Sequence, residues 1–171
     1  SCLAPRRCPH LHVDQRAYLD LLGRARAAAG VKHLFVTTGV RMDLALECPE
    51  FVAALAAHYT SGHLKVAPEH VAPEVLERMR KPEGRVFQRF LEAFGKASQA
   101  AGKEQYVLPY FIAAHPGCRM EDMIELALFL RRHSIRVEQC QLFIPIPGTA
   151  AAVMYATGMD PYTGEKVFVE R

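Results

Sequence analysis

Strands alternating with helices predict an α/β protein on a parallel sheet, and three features of the sequence carry that expectation. The first is the apolar run Val107-Leu108-Pro109-Tyr110-Phe111-Ile112-Ala113-Ala114, closed by His115-Pro116-Gly117. Its length and the Pro-Gly stop read as a strand buried on both faces. The second is the segment that follows, with Met123, Leu126, Ala127 and Leu130 on one helical stripe. Glu121 and Asp122 in its first turn and Arg131, Arg132 and His133 in its last complement the helix dipole. The third is repetition of this unit in the order α-β-α-β-α-α-β-α-β plus a tail, which implies right-handed crossovers. An eight-stranded barrel takes ~250 residues. The expected architecture is therefore an incomplete (β/α) barrel: about four parallel strands with crossover helices, as one domain over 1–171. Residues 1–13 read as a loop, 14–158 as the β/α units and 159–171 as a tail. A chain that starts at Ser1, with a helix before its first strand, reads as the later portion of a larger barrel.

Taken in order, Asp14 is a suitable N-cap for a helix to Ala29, and Gly30 a suitable stop. His33–Thr37 reads as the first strand. Pro49 and Glu50 open a second helix ending near His58. His63–Ala67 is a short strand broken by Pro68. Pro73 opens a short helix that ends before Lys81-Pro82-Glu83-Gly84. Phe87, Phe90, Leu91 and Phe94 at i, i+3, i+4, i+7 mark a stronger one ended by Gly102. After the strand and helix described above, Val137–Ile144 is the fourth strand. Ala150–Ala156 is a short helix stopped by Gly158, Asp160–Gly164 a turn and Val167–Val169 a stub of strand.

Half of the residues are hydrophobic and 23% are charged, an ordinary globular balance. A formal charge of +3 is too weak to indicate nucleic acid. No apolar run reaches the ~18 residues of a bilayer span. Five cysteines at 2, 8, 48, 118 and 140 form no dense even framework, which points to a reducing cytoplasm. Cys2 and Cys8, with His10 and His12, are soft ligands at a spacing that matches no standard zinc finger, and are weak metal candidates.

In parallel α/β layouts the loops after the carboxyl ends of the strands share one face and bind ligands there. Those loops carry Thr37, Thr38, Gly39, Arg41 and Asp43, then Lys65, Pro68, Glu69 and His70. His115, Pro116 and Gly117 come next, and finally Pro145, Pro147, Gly148 and Thr149. A guanidinium, an ammonium, a carboxylate and imidazoles suit a ligand bearing its own carboxylate and amine. Lys65 and Glu69 can equally pair with each other. Arg78, Arg80, Lys81 and Arg85 read as a solvated basic helix face, and Cys118 and Cys140 as small buried residues.

Several stretches together carry a family resemblance: His63-Leu64-Lys65-Val66-Ala67-Pro68-Glu69-His70, Leu76-Glu77-Arg78-Met79-Arg80-Lys81-Pro82, Pro109 through Gly117, and Phe143 through Ala150. With Met154 through Pro161 and Cys2 through Leu11, they resemble the YgiQ family of radical S-adenosylmethionine proteins over nearly the whole chain. The resemblance implies a partial (β/α)6 barrel that binds S-adenosylmethionine against a [4Fe–4S] cluster and cleaves it reductively to a 5′-deoxyadenosyl radical. It implies that Ile112 packs on the adenine, with Phe143 and Pro145 walling it. His115, Pro116 and Gly117 would shape the adenosine end. Lys65 and Glu69 would meet the ribose or methionine part, and Arg41 the methionine carboxylate. The Cys-x3-Cys-x2-Cys motif of that superfamily is absent, so the cluster is expected to be ligated by residues outside this chain. Cys118-Arg119 also stands where related enzymes often have Glu-Thr. The expected partners are the remainder of a parent polypeptide, the cofactor and an unknown substrate, with no membrane. The parent is expected to be an enzyme and the segment alone inactive. The alternative is a non-catalytic interaction or metal-binding module on the same scaffold.

Overall fold

The computed structural model describes residues 3, 7–37 and 39–170. Its chain divides into two compact units, Ser1–Ala67 with Arg85–Leu108, and Pro68–Gly84 with Pro109–Arg171. Among the described residues the sheet is three-stranded and parallel, in the order β1-β2-β3. Its strands are β1 (His63–Glu69), β2 (Tyr106–Ala113) and β3 (Gln139–Leu142). No described helix is long and apolar enough to cross a membrane.

In the first unit, α1 (Arg16–Ala27) follows Asp14, whose Oδ1 accepts the Arg16 N–H at 2.9 Å. α2 is the short Met42–Ala45. Pro49 at the first helical position opens α3 (Pro49–Ala54), which widens into a π-helical turn, Leu55–Tyr59. Carbonyls at that helix end are satisfied by long side chains rather than by a glycine cap. Lys103 Nζ donates to the Ala56 and Ala57 carbonyls, and Gln105 Nε2 to those of Ala56 and Thr60. α5 (Gly84–Ala100) buries Phe87, Phe90 and Phe94, as its spacing predicts.

The expected first strand, His33–Thr37, is not one, so the sheet has three strands rather than four. That segment and Val40 beyond it meet their neighbours at separate points. Val36 N–H donates to the Tyr59 carbonyl at 2.8 Å, and Val40 N–H to the Lys65 carbonyl at 3.2 Å. Val40↔Val66 is a lone parallel bridge. One partner lies on the π-helical turn and the other on β1, so no continuous ladder can form.

In the second unit, α4 (Pro73–Met79) starts on Pro73 and ends with Arg80 in the left-handed region, φ +55°. β1 runs on through Pro68 to Glu69, beyond the expected break. β2 and β3 pair in parallel from Tyr110↔Gln139 to Ala113↔Leu142. Pro109, which lacks an N–H, therefore lies outside that ladder. β2 is not buried on both faces: among its residues only Pro109 and Phe111 are buried, and all four β3 residues are exposed. α6 (Met120–Arg132) opens with the Arg119 N–H donating to Asp122 Oδ2 at 2.7 Å. α7 (Ala150–Thr157) is capped by Thr149, whose Oγ1 accepts from Ala152 N–H, and ends at Gly158. The tail folds back as a turn bridged by Met159↔Lys166. The expected strand stub at 167–169 is irregular, with Val167 buried.

Candidate functional site

Arg41 and Lys65 belong to the first unit. The guanidinium of Arg41 is held by its near neighbour Asp43 through Nε–Oδ1 at 2.8 Å and Nη2–Oδ2 at 3.0 Å. Lys65 stands mid-strand on the exposed face of β1, and its carbonyl rather than its ammonium is engaged.

The second unit holds Glu69, Ile112, His115, Pro116, Gly117, Phe143 and Pro145. Glu69 ends β1 in the left-handed region at φ +68°, an uncommon conformation for a residue with a side chain. Its carboxylate pairs with Lys81, not Lys65: Lys81 Nζ donates to Oε1 at 3.2 Å. The other oxygen, Oε2, is buried and has no hydrogen-bond partner among the described residues. Ala114, just past the end of β2, is also left-handed, at φ +57°. Such backbone strain gathers where the chain shapes a site.

His115 is buried, and its Nδ1 lies 2.9 Å from the Pro116 carbonyl. A carbonyl only accepts, so Nδ1 carries the proton and Nε2 keeps a lone pair. Burial pushes the imidazole pKa down; the Pro116 hydrogen bond opposes this and the Arg78 guanidinium adds to it. The Phe143 ring packs edge-on against His115 at 5.0 Å between centroids, and Tyr155 lies 5.9 Å beyond it. The Phe143 N–H donates to the Ala113 carbonyl at 2.8 Å, which ties the end of β3 to the end of β2. Ile112 is half-buried opposite Gln141, while Pro145 is exposed.

His70 and Cys118 join the β1 and β2 ends. His70 is fully buried, and its Nδ1 accepts the Ala72 N–H at 3.0 Å. Nε2 therefore bears the proton and faces Cys118 Sγ at 3.7 Å. Burial, reinforced by His115 and opposed by Asp122, holds His70 at a pKa of about 4. Burial likewise pushes the Cys118 thiol up, against a backbone hydrogen bond from Ala114. A neutral imidazole beside a protonated thiol is a packing contact rather than a nucleophile–base pair. Cys140 is exposed, contrary to the expectation of a buried residue, because β3 has no cover.

The sequence reading missed Arg78 and the tail. Gly117 sits at φ +90°, and a Cβ there would lie 2.3 Å from Arg78 Cδ. The side chain of Arg78 thus lies across the His-Pro-Gly turn. Gly117 N–H donates to the Phe168 carbonyl at 2.7 Å, and the Arg119 guanidinium lies 4.8 Å from the Phe168 ring centre. Arg80 covers the Tyr162 ring at 3.6 Å. The basic cluster read as a solvated face is thus partly spent on the tail and on the turn. Its one available signal was Lys81-Pro82 after Arg80, which forces the chain to turn there.

Cys2 and Thr38 lie outside the described residues, and Cys8 is a half-buried free thiol. Among the described residues no three His, Cys, Asp or Glu side chains are grouped to hold a metal ion.

No family model matches the chain. Individual relatives do, over its whole length. It is 46% identical over 171 residues to a UPF0313 protein of Methanosarcina acetivorans, of which it covers 23%. It is 44% identical to the UPF0313 protein YgiQ of Escherichia coli, covering 24%, and 47% identical to a UPF0313 protein of Geobacter sulfurreducens, covering 28%. The chain belongs to the UPF0313 (YgiQ) family. It spans about a quarter of the length of these relatives. The Cys118 side chain and the strained Glu69 thus lie within a segment that aligns from end to end with UPF0313 proteins.

Proposed function

We propose that this chain supplies the adenosine side of an S-adenosylmethionine pocket in a radical S-adenosylmethionine enzyme, as part of its partial (β/α)6 barrel. The observation that carries the reading is Glu69 Oε2, a carboxylate oxygen shut from solvent without a donor among the described residues, at the end of a parallel strand. An orphaned buried acceptor of this kind costs ~1–3 kcal/mol, more when charged, and a ribose hydroxyl or an amine would satisfy it. His115 Nε2 offers a second acceptor, fixed by the Pro116 bond and held neutral by burial. Ile112 and the half-buried Phe143 ring supply apolar and aromatic surface of the type that adenine stacks against. These residues fit the cofactor's nucleoside part.

Bound, S-adenosylmethionine and a reduced [4Fe–4S] cluster would supply a carbon-centred radical for hydrogen abstraction. The described residues offer no ligand set for that cluster, whose ligation is assigned to residues outside this chain. What this chain contributes is binding, orientation and exclusion of water at the adenosine end. The remainder of the parent polypeptide is its first partner.

In the full-length protein, Ile112→Asp and Glu69→Gln should each weaken S-adenosylmethionine binding at least tenfold by calorimetry. Unchanged affinity in both variants would remove this face from the pocket. The 171-residue chain alone, reconstituted anaerobically with iron and sulfide, should develop no iron–sulfur absorption; a full cluster would contradict the assignment. A second reading, a non-catalytic interaction scaffold, draws on the exposed apolar residues Leu142, Ile144 and Ile146 at and beyond β3. It gains if the full-length protein binds no S-adenosylmethionine.

A further inference from the structure

The first unit carries a cavity of about 340 Å³ at the amino-terminal approach to β1, lined by none of the candidate cofactor residues named above. Its wall includes Arg26, Lys32, His33, His58 and Lys103, and among the described residues no aspartate or glutamate. A concentration of cationic and imidazole N–H donors without a carboxylate is the composition of an anion site. The volume falls in the range of small-molecule pockets, ~300–1,000 Å³.

Three further observations make this more than a scatter of surface charge. Lys103 is anchored: its Nζ donates to the Ala56 and Ala57 carbonyls at 3.2 and 2.7 Å, which fixes the charge and leaves one of three N–H donors over. Thr60, also in the wall and 1% exposed, has a buried hydroxyl oxygen with no partner among the described residues. His33 stacks on Phe35 at 5.8 Å with 6° between the ring planes, and Phe35 is itself 43% exposed. The wall thus combines a guanidinium, two ammonium groups and a flat aromatic face.

We infer that this cavity binds a phosphorylated small molecule, its phosphate held by Arg26, Lys32 and Lys103. A guanidinium fork and an ammonium are the groups that hold phosphate oxygens. The His33–Phe35 stack is where a base would lie if the phosphate belongs to a nucleotide.

The test is an NMR titration of the full 171-residue chain with inorganic phosphate, pyrophosphate and AMP in turn, at constant ionic strength. Saturable shifts are expected for the His33 and His58 rings and the Thr60 and Ser61 amides. The variant Arg26→Ala with Lys32→Ala should bind pyrophosphate at least tenfold more weakly with unchanged circular dichroism, since both side chains are exposed. Lys96→Ala, an exposed cation outside the cavity, should leave affinity unchanged. AMP binding at least fivefold tighter than phosphate, with the Phe35 ring shifting, identifies a nucleoside phosphate. Equal affinities identify the phosphate group alone as the ligand. Shifts that never saturate, that sodium chloride reproduces, or that survive the double variant overturn the inference.

Discussion

α5 and α6 are both amphipathic helices, one in each unit, yet they are buried to very different degrees. α5 presents Phe87, Phe90 and Phe94, each at most 1% exposed. α6 has Leu126 as its only buried residue, and Met120, Ile124 and Leu128, four residues apart, stand 71%, 52% and 41% exposed. β3 completes the contrast, with all four residues exposed and Leu142 at 71%. A helix apolar on two faces is normally covered on both. The difference teaches that apolar periodicity specifies a helix and its stripe, but not whether the covering surface lies in the same stretch of chain.

The contrast is broken most directly by paired truncations. Phe90→Ala should cost about 3–5 kcal/mol of unfolding free energy through the cavity it leaves. Leu142→Ala on the exposed strand should stay within about 0.5 kcal/mol. Chemical denaturation of the two variants checks this, and comparable losses would show that β3 is covered after all.

That asymmetry also marks how far the sequence could be read. The Phe87, Phe90 and Phe94 stripe, the Pro49 and Pro73 helix starts and the Gly158 stop were legible because each rests on local geometry. His33–Thr37 was not, because strand identity depends on a partner, and here the partners are a π-helical turn and a single residue pair of β1. At the candidate site, His115 and Gly117 were visible as residues on a strand-end loop and Phe143 as a residue near the end of the fourth strand, and His115 and Phe143 do meet. Glu69's preference for Lys81 over Lys65 was hidden, since strand alternation places residues 65 and 69 on the same side yet leaves the nearer cation four residues back. Arg78 was hidden too, because only the folded turn brings its side chain over Gly117.

The burial of His70 gives the next effect. The folded pKa of His70, about 4, lies below the ~6.5 of an unfolded histidine, so the unfolded chain takes up a proton first as pH falls. Its contribution is complete above pH 6.5 and is lost between there and about pH 4. Stability at pH 5 should be about 2 kcal/mol lower than at pH 7. His115, shifted the same way, adds to the fall. His70→Asn, which can still accept the Ala72 N–H, should flatten much of this dependence; an unchanged slope would assign it to other groups.

Gly117→Ala should come next, at roughly 1–2 kcal/mol. The added Cβ meets Arg78 Cδ at 2.3 Å and the residue must hold φ +90°. Pairing it with Arg78→Ala separates the two causes. If the double variant regains part of the loss, the clash matters; if it regains none, the backbone conformation carries the whole cost.

The smallest effect on stability is expected at Arg41. Its pair with Asp43 is two residues long in sequence, 40% and 24% exposed at the two side chains, and screened by solvent, so Arg41→Ala should cost less than about 1 kcal/mol. That makes the variant informative for binding. A guanidinium already gripped by Asp43 through two hydrogen bonds can hold a ligand carboxylate only by exchanging partners. If Arg41 meets the methionine carboxylate, Asp43→Asn should tighten S-adenosylmethionine binding in the full-length protein and Arg41→Ala should weaken it, with stability unmoved. Equal affinity in both variants would leave Arg41 a purely local pair.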